Sequence, residues 1–226
     1  MPTECPWRDT LYWYPSIDST NVKAKELAQA GAPEGTLVIA GSQSAGKGRM
    51  GRSFSSPENM GMYLSVILRP NCKPEQLMHL TCAVAVAACQ AVEAAAGIRP
   101  EIKWINDLVL NKKKLGGILT ELGIDPATGL VSYAIVGIGI NCLQTPKDFP
   151  SELQEIATSL AQAGSPVTPA SLAAAVATAL WQLDLWEKPQ LMAKYKTISR
   201  IKSASESDLA AILGSKLAKT IKEALG

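Results

Sequence analysis

Gly46-Lys47-Gly48-Arg49-Met50-Gly51-Arg52 and the apolar run Met62-Tyr63-Leu64-Ser65-Val66-Ile67-Leu68 that follows it separate two kinds of fold. Glycines alternating with cations let the backbone approach a ligand closely while lysine and arginine supply charge and donors. Such a loop is suited to wrapping an anion. In a Rossmann turn the glycines would open a helix. Here a short hydrophobic strand follows instead, and the Gly-x-x-x-x-Gly-Lys-Ser/Thr spacing of a nucleoside triphosphatase loop is absent. The ordinary alternative is a solvated glycine-rich hairpin, but cations packed among glycines serve a clamp better than a turn.

Working outward, residues 11–17 read as a strand, and Asp18-Ser19-Thr20 offers N-caps to a helix through Lys23 to Ala30. Leu37 to Gln43 forms a second strand, leading into the loop, and Met62 to Leu68 a third. A long helix is expected from about Pro74 to Ala96, with proline in its first turn. Three extended segments follow: Ile98 to Leu110, Leu115 to Gly123, and Leu130 to Cys142. Hairpin-type turns at Asn111-Lys112-Lys113 and Asp125 to Gly129 join them. Two helices are expected over Ser151 to Ala163 and Pro169 to Glu187. Strand groups with helices inserted between them predict an α+β fold: a mixed, mostly antiparallel sheet with flanking helices. Residues 1–197 read as the main domain. Residues 198–226 have no aromatic residue and read as a short helical tail, with Ser205-Glu206-Ser207-Asp208 resembling a capping box.

At 226 residues, 47% hydrophobic and 19% charged, the chain has the composition of an ordinary globular protein. A net charge of +2 favours neither nucleic acid nor an acidic membrane surface. Its five cysteines form no Cys-x-x-Cys pair, which argues against structural zinc and against a disulfide framework. No signal peptide is evident, so a cytoplasmic location is expected. The apolar segment Leu77 to Ala96 carries Gln90, Glu93 and many alanines, and reads as a core helix, not a membrane span. The single histidine, His79, has no nucleophile motif beside it and reads as a satisfied helix residue, which leaves no Ser-His-Asp or Cys-His triad.

Four segments carry polar groups that a core does not need. The first is Asp18-Ser19-Thr20-Asn21, and the second is Gln43 with the glycine-cation loop. In Lys103-Trp104-Ile105-Asn106-Asp107, a lysine, an amide and a carboxylate interrupt an apolar strand, a pattern costly to bury without partners. Asn106 and Asp107 together offer oxygen ligands to a hydrated Mg²⁺; the alternative is a surface hairpin that pairs Lys103 with Asp107. Lys114 leads into adjacent glycines, Gly116-Gly117, which weaken a strand unless something packs on the backbone. In the fourth, Gly137-Ile138-Gly139-Ile140-Asn141, alternate glycines clear one strand face as a ligand floor.

Taken in order, Asp-Ser-Thr-Asn, Gln…Gly-Lys-Gly-Arg-Met-Gly-Arg, Lys-Trp-Ile-Asn-Asp-Leu, Lys-Leu-Gly-Gly-Ile-Leu-x-Glu and Gly-Ile-Gly-Ile-Asn resemble the catalytic domain of biotin protein ligases, over residues 11–187. The resemblance implies a ligase that needs ATP, biotin and Mg²⁺. Biotinyl-5′-adenylate forms first, and a lysine of a biotin carboxyl carrier protein, a subunit or domain of acetyl-CoA carboxylase, then takes the biotinyl group. By the same resemblance, Ser19, Thr20, Asn21, Gln43 and Gly117 meet biotin, and Lys47, Gly48 and Arg49 fold over it. Lys47, Arg49, Arg52, Phe54, Lys103, Asn106, Asp107, Ile138 and Asn141 face the nucleotide, with Asn106 and Asp107 toward the metal. Lys114 contacts the biotin carboxylate and, with Arg49, carries the chemistry. No protein nucleophile is required, which agrees with the missing triad.

The chain departs from the family pattern in places. Lys47 stands where arginine is usual, so a bidentate contact becomes a point charge. Phe54 stands for a common tryptophan, and Ile105 for a usual proline, a change that an extended strand tolerates. Neither a helix-turn-helix nor the family's small C-terminal β-barrel is evident, so DNA binding is not expected. A monomer or weak homodimer without membrane attachment is. The competing readings are a lipoate or octanoyl ligase of the same fold and a non-catalytic biotin or adenylate sensor.

Overall fold

The structure, a computed structural model, describes residues 1–3, 5–70, 72–78, 80–183 and 204–208. Seven strands form one sheet: β1 (Leu11–Tyr14), β2 (Leu37–Ala40), β3 (Gly61–Leu68), β4 (Glu101–Lys103), β5 (Asp107–Leu110), β6 (Lys113–Ile124) and β7 (Val131–Asn141), in the spatial order β1-β2-β3-β7-β6-β5-β4. Only β1 and β2 run parallel; every other neighbouring pair is antiparallel. A parallel pair needs a crossover, and α1 (Thr20–Gln29) supplies it. The α+β expectation with a mostly antiparallel sheet is borne out.

All eight residues of β3 are buried, because helices cover both faces of the sheet. On one face, Ala24 and Ala28 of α1 pack against Val38, Ile67 and Ile135. On the other, α2 (Leu80–Ala96) and α3 (Pro169–Leu183) cover Leu37, Leu64, Val66, Ile118, Ile138 and Ile140. Each fully buried aliphatic side chain contributes roughly 1.5–3 kcal/mol relative to exposure. The segment Pro74–Ala96 is long and apolar enough to cross a membrane, but Val84, Ala85, Ala88 and Val92 of α2 lie in this core, as a core helix requires. Arg69 closes the C-terminal end of α1: its guanidinium donates to the carbonyls of Ala28 and Ala32 at 2.7–2.9 Å.

Three local expectations change. The helix from Pro74 opens as a 3-10 turn over Pro74–Leu77, and the described α-helix spans Leu80–Ala96. The extended segment Ile98 to Leu110 folds back as the β4–β5 hairpin, so Trp104, Ile105 and Asn106 form a turn and Ile105 does not lie in an extended strand. The helix expected over Ser151 to Ala163 is a 3-10 turn at Ser151–Leu153 followed by irregular chain. The β5–β6 turn fits its expectation, with Asn111 and Lys112 at φ 50° and 64°, as a two-residue type I′ hairpin demands. Among residues 204–208, Ser205 Oγ accepts from the Asp208 N–H at 3.1 Å, as a cap would. His79, the stretch beyond Leu183 and the rest of the tail lie outside the described residues.

Candidate active site

The glycine-cation loop is a hairpin. Phe54 N–H donates to Gly46 O at 2.8 Å and Gly48 N–H to Arg52 O at 2.7 Å. Its tip is a type I′ turn: Met50 and Gly51 have φ 56° and 74°, and Arg52 N–H donates to Arg49 O at 3.2 Å. Glycine meets the positive φ at position 51 without strain, whereas Met50 adopts it with its side chain 91% exposed. The glycine-rich hairpin is therefore what is seen, and it forms one wall of a cleft.

That cleft is lined by Ser19, Thr20 and Asn21 from the start of α1, Gln43, the Lys47-Gly48-Arg49 arm with Phe54, Asn106, Lys114 and Gly117, and the backbone around Gly137-Ile138-Gly139. Its floor is a connected polar network. Gln43 Oε1 accepts from the Thr20 N–H (2.8 Å) and the Thr20 hydroxyl (3.1 Å), so a remote side chain satisfies the first turn of α1. Gln43 Nε2 donates to Ser56 Oγ at 2.8 Å. Ser65 Oγ, fully buried in β3, lies 2.9 Å from Thr20 Oγ1 and 2.7 Å from Asn21 Oδ1. Asn21 Nδ2 reaches Glu121 Oε2 at 2.7 Å.

The glycines of β7 do clear one face, but protein groups fill the cleared space first. A Cβ on Gly137 would overlap Asn21 Oδ1, and one on Gly139 would come within 2.6 Å of the Phe54 ring. Asn21 and Phe54 themselves line the cleft, so the bare floor expected from the glycine alternation is instead a seat for two cleft-lining side chains. Gly116 has no room for a side chain because Gly139 O lies against it, while a Cβ on Gly117 would meet the end of Lys114 at 3.5 Å and Asp107 Oδ1 at 3.7 Å, both ordinary contacts.

Cations ring the mouth. Lys114 Nζ lies 2.7 Å from Asp107 Oδ1, and the Lys114 backbone is pinned on both sides, its N–H to Ile156 O and its O to Thr158 N–H. Arg49 Nη1 donates to Asn106 Oδ1 at 3.2 Å, while Asn106 is tied to β6 through Ile118. Lys103 stands opposite Asp107 in the hairpin register, yet the carboxylate pairs with Lys114 and not with Lys103.

Twelve of the side chains singled out from sequence thus border the cleft: Ser19, Thr20, Asn21, Gln43, Lys47, Gly48, Arg49, Phe54, Asn106, Lys114, Gly117 and Ile138. Asp107 joins them through Lys114. Arg52 and Lys103 are exposed outside it. Asn141 is buried, and protein groups take up its amide: Nδ2 donates to Thr158 O at 2.9 Å and Oδ1 accepts from Gln144 Nε2 at 3.1 Å. Ser65 was missed, and Glu121, quoted only as the end of its motif, was given no role; the signal at both was a polar residue inside an otherwise apolar strand. Among the described residues, no three His, Cys, Asp or Glu side chains gather as a metal site. A larger groove of about 430 Å³ lies on the opposite sheet face, between β1, β2 and α3, but no charged side chain lines it. The charged and amide side chains singled out from the sequence gather at the narrower cleft.

Fold and cleft together define an α+β protein in which a glycine-cation hairpin borders a polar cleft at the start of α1. The chain belongs to the biotin/lipoate A/B protein ligase family, whose model matches residues 13–141, more than half of it. It is 49% identical over 153 residues to the bifunctional ligase/repressor BirA of Bacillus subtilis, covering 68% of this chain and 46% of that protein. It is 37% identical over 132 residues to the biotin–[acetyl-CoA-carboxylase] ligase of Paracoccus denitrificans, covering 57% and 53%. The chain thus spans about half the length of these relatives. Among solved structures, the biotin protein ligase of Aquifex aeolicus in complex with biotin and ATP matches with a TM-score of 0.64 at 28% identity, over 86% of this chain and 75% of that one. The Leishmania major enzyme in complex with biotinyl-5-AMP matches with a TM-score of 0.63 at 26% identity, over 79% and 75%.

Proposed function

We propose that the protein activates biotin with ATP and transfers it to a lysine of a biotin carboxyl carrier domain. The observation that carries this reading is the cleft itself: a neutral floor of amides and hydroxyls with Lys47, Arg49 and Lys114 at its mouth. A ureido ring needs donors and acceptors, and its valerate carboxylate needs a cation. The carboxylate oxygen attacks the α-phosphorus of ATP, the bond to the bridging oxygen breaks, and pyrophosphate leaves. A carrier lysine amine then attacks the acyl carbon, and AMP departs with the bonding pair. Both partners of the first step are anions, so positioning and charge screening supply the catalysis. Lys114, held on a rigid strand, screens the carboxylate; Lys47 and Arg49 close over the adenylate.

Phe54 lies beside Gly139 where a base can stack, and Arg52 and Lys103 approach the phosphates from outside the cleft. Asn141 supports this end through its buried amide. Mg²⁺ enters with ATP as part of the substrate. Asn106 Oδ1 and Asp107 Oδ1 already accept from Arg49 and Lys114, so the pair is not free to serve as a resident metal site. The free space of about 50 Å³ is well below the hundreds of Å³ of a formed ligand pocket, so the hairpin rises as biotin enters.

The family includes lipoate enzymes, but relatives named for biotin and a hydrogen-bonding floor favour biotin over an acyl chain. The complete set of cations favours a catalyst over a sensor. The carrier is that of an acetyl-CoA carboxylase, the setting is the cytoplasm, and the protein works as a monomer or weak homodimer. The catalytic domain is assigned to residues 1–197, with 198–226 an appendage whose removal leaves adenylate formation within about threefold, roughly 0.6 kcal/mol on the barrier. The decisive experiment measures pyrophosphate release with MgATP and biotin, then with lipoate, and identifies the adenylate by mass spectrometry. Release with lipoate and none with biotin overturns the proposal.

A further inference from the structure

Glu121 lies in β6, partly buried, and among the described residues it makes no ion pair. A carboxylate set into a sheet without a counter-ion is costly, so what it holds matters. Its Oε2 accepts a 2.7 Å hydrogen bond from Asn21 Nδ2. Leu119 O is a second, longer acceptor for the same nitrogen, at 3.5 Å. On the other side, Ser65 Oγ donates to Asn21 Oδ1 at 2.7 Å. Asn21 is 4% exposed, and its Oδ1 sits over Gly137, another residue of the cleft floor.

This arrangement permits one orientation of the Asn21 amide. An ionised carboxylate and a backbone carbonyl only accept. A flipped amide would set Oδ1 against both of them. The bond to Glu121 is charge-assisted, about twice as strong as a neutral one. It also draws electron density toward Oδ1, which makes that oxygen a better acceptor. Glu121 is not among the residues that line the cleft; its effect passes through Asn21, which is.

We infer that Glu121 is a positioning residue for biotin: through the Asn21 amide it fixes an acceptor in the cleft floor that takes an N–H of the ureido ring. The inference rests on the biotin reading above. It extends that reading by naming what sets the polarity of the floor. A ring lacking an N–H at that place is discriminated against because it leaves a buried acceptor unpaired.

The test is a double-mutant cycle on biotin affinity, measured by titration calorimetry. Glu121→Gln keeps the volume but lets either end of the Asn21 amide face it. Its Kd for biotin is expected to rise about tenfold, the scale of one lost hydrogen bond. The Kd for ATP and the adenylation rate at saturating biotin should hardly change. Biotin methylated on both ureido nitrogens should bind wild type and Glu121→Gln alike, so the wild type's discrimination shrinks by the same factor. In an Asn21→Ala background, or Asn21→Ser should alanine fail to fold, Glu121→Gln should add nothing, since its route is gone. Unchanged biotin affinity in Glu121→Gln, or an undiminished loss in the absence of Asn21, overturns the inference and leaves the biotin reading standing. A wild-type protein that binds lipoate and not biotin overturns both.

Discussion

Arg49 Nη1 donates to Asn106 Oδ1 at 3.2 Å across a sequence separation of 57 residues, tying the tip of the glycine-cation hairpin to the turn between β4 and β5. Asn106 is in turn fixed to β6 at both ends: Nδ2 donates to Ile118 O at 3.2 Å and its backbone O accepts from Ile118 N–H at 2.9 Å. The tip of the hairpin is therefore latched to a strand of the sheet through the exposed Arg49 side chain.

Removing that side chain should loosen the roof. Arg49→Gly is expected to let the adenylate escape before a carrier arrives, so that lysines of bystander proteins become biotinylated. Blotting with labelled avidin in the presence of an inert protein such as albumin measures this directly. A variant that retains strict carrier selectivity shows that the latch does not hold the intermediate.

Lys114 should matter for chemistry and little for folding. Its side chain is 42% exposed and its ion pair with Asp107 sits near solvent, where such pairs contribute at most about 1 kcal/mol. Lys114→Ala should lower adenylation by about 10²-fold or more, the scale of losing one preorganised charge contact, about 2.7 kcal/mol. Its melting temperature should stay close to that of the wild type. An unchanged rate would reduce Lys114 to a solvated hairpin residue.

Where sequence reading succeeded and failed follows from the range of the deciding interactions. The turn at Asn111-Lys112 and the strand Met62 to Leu68 were legible because local residues set them. The helix expected over Ser151 to Ala163 was lost to distant backbone partners. Ile156 O and Thr158 N–H bind Lys114, while Leu160 and Ala161 N–H bind Asn141 O and Cys142 O. Those bonds finish the ends of β6 and β7 and outweigh local helix preference. The same register explains Asn141, whose amide is claimed by Thr158 and Gln144, neither of which its own motif contains. Most of the cleft was visible because motif residues occupy it. Ser65 was not, and the place of Glu121 was not legible even within its motif, since each acts on Asn21 across the sheet.

The buried thiols give a pH prediction with a definite sign. Burial pushes Cys142 from an ordinary value of 9.0 up to about 12, and Cys89 up to about 11. The unfolded chain loses these protons near 9.0 and the folded chain keeps them until about 11–12. Stability present in full below pH 9.0 therefore falls as pH rises through that window. Burial raises Tyr63 above 10.0 as well, in the same direction. The melting temperature should decline steadily above pH 9.0, and Cys142→Ala should flatten that decline. In native protein at pH 8, iodoacetamide should label Cys72 and Cys82, which are partly exposed, well before Cys89 and Cys142. Equal labelling of all four would contradict the burial argument.

Two glycines of the cleft should respond oppositely to one added methyl group. A Cβ on Gly137 overlaps Asn21 Oδ1, and that oxygen has nowhere to go: Ser65 and Glu121 hold its amide from both sides. Gly137→Ala should therefore cost about 1–3 kcal/mol by overpacking and weaken biotin binding at the same time. A Cβ on Gly117 meets the end of Lys114 at 3.5 Å and Asp107 Oδ1 at 3.7 Å, ordinary contacts with the ends of two side chains. Gly117→Ala should be within about 0.5 kcal/mol of wild type in stability, since an alanine that fits also reduces the freedom of the unfolded chain. Thermal unfolding of both variants with and without biotin separates the two effects. If Gly137→Ala melts with the wild type and binds biotin as tightly, the Asn21 amide is mobile, and its place as the fixed centre of the cleft floor is lost.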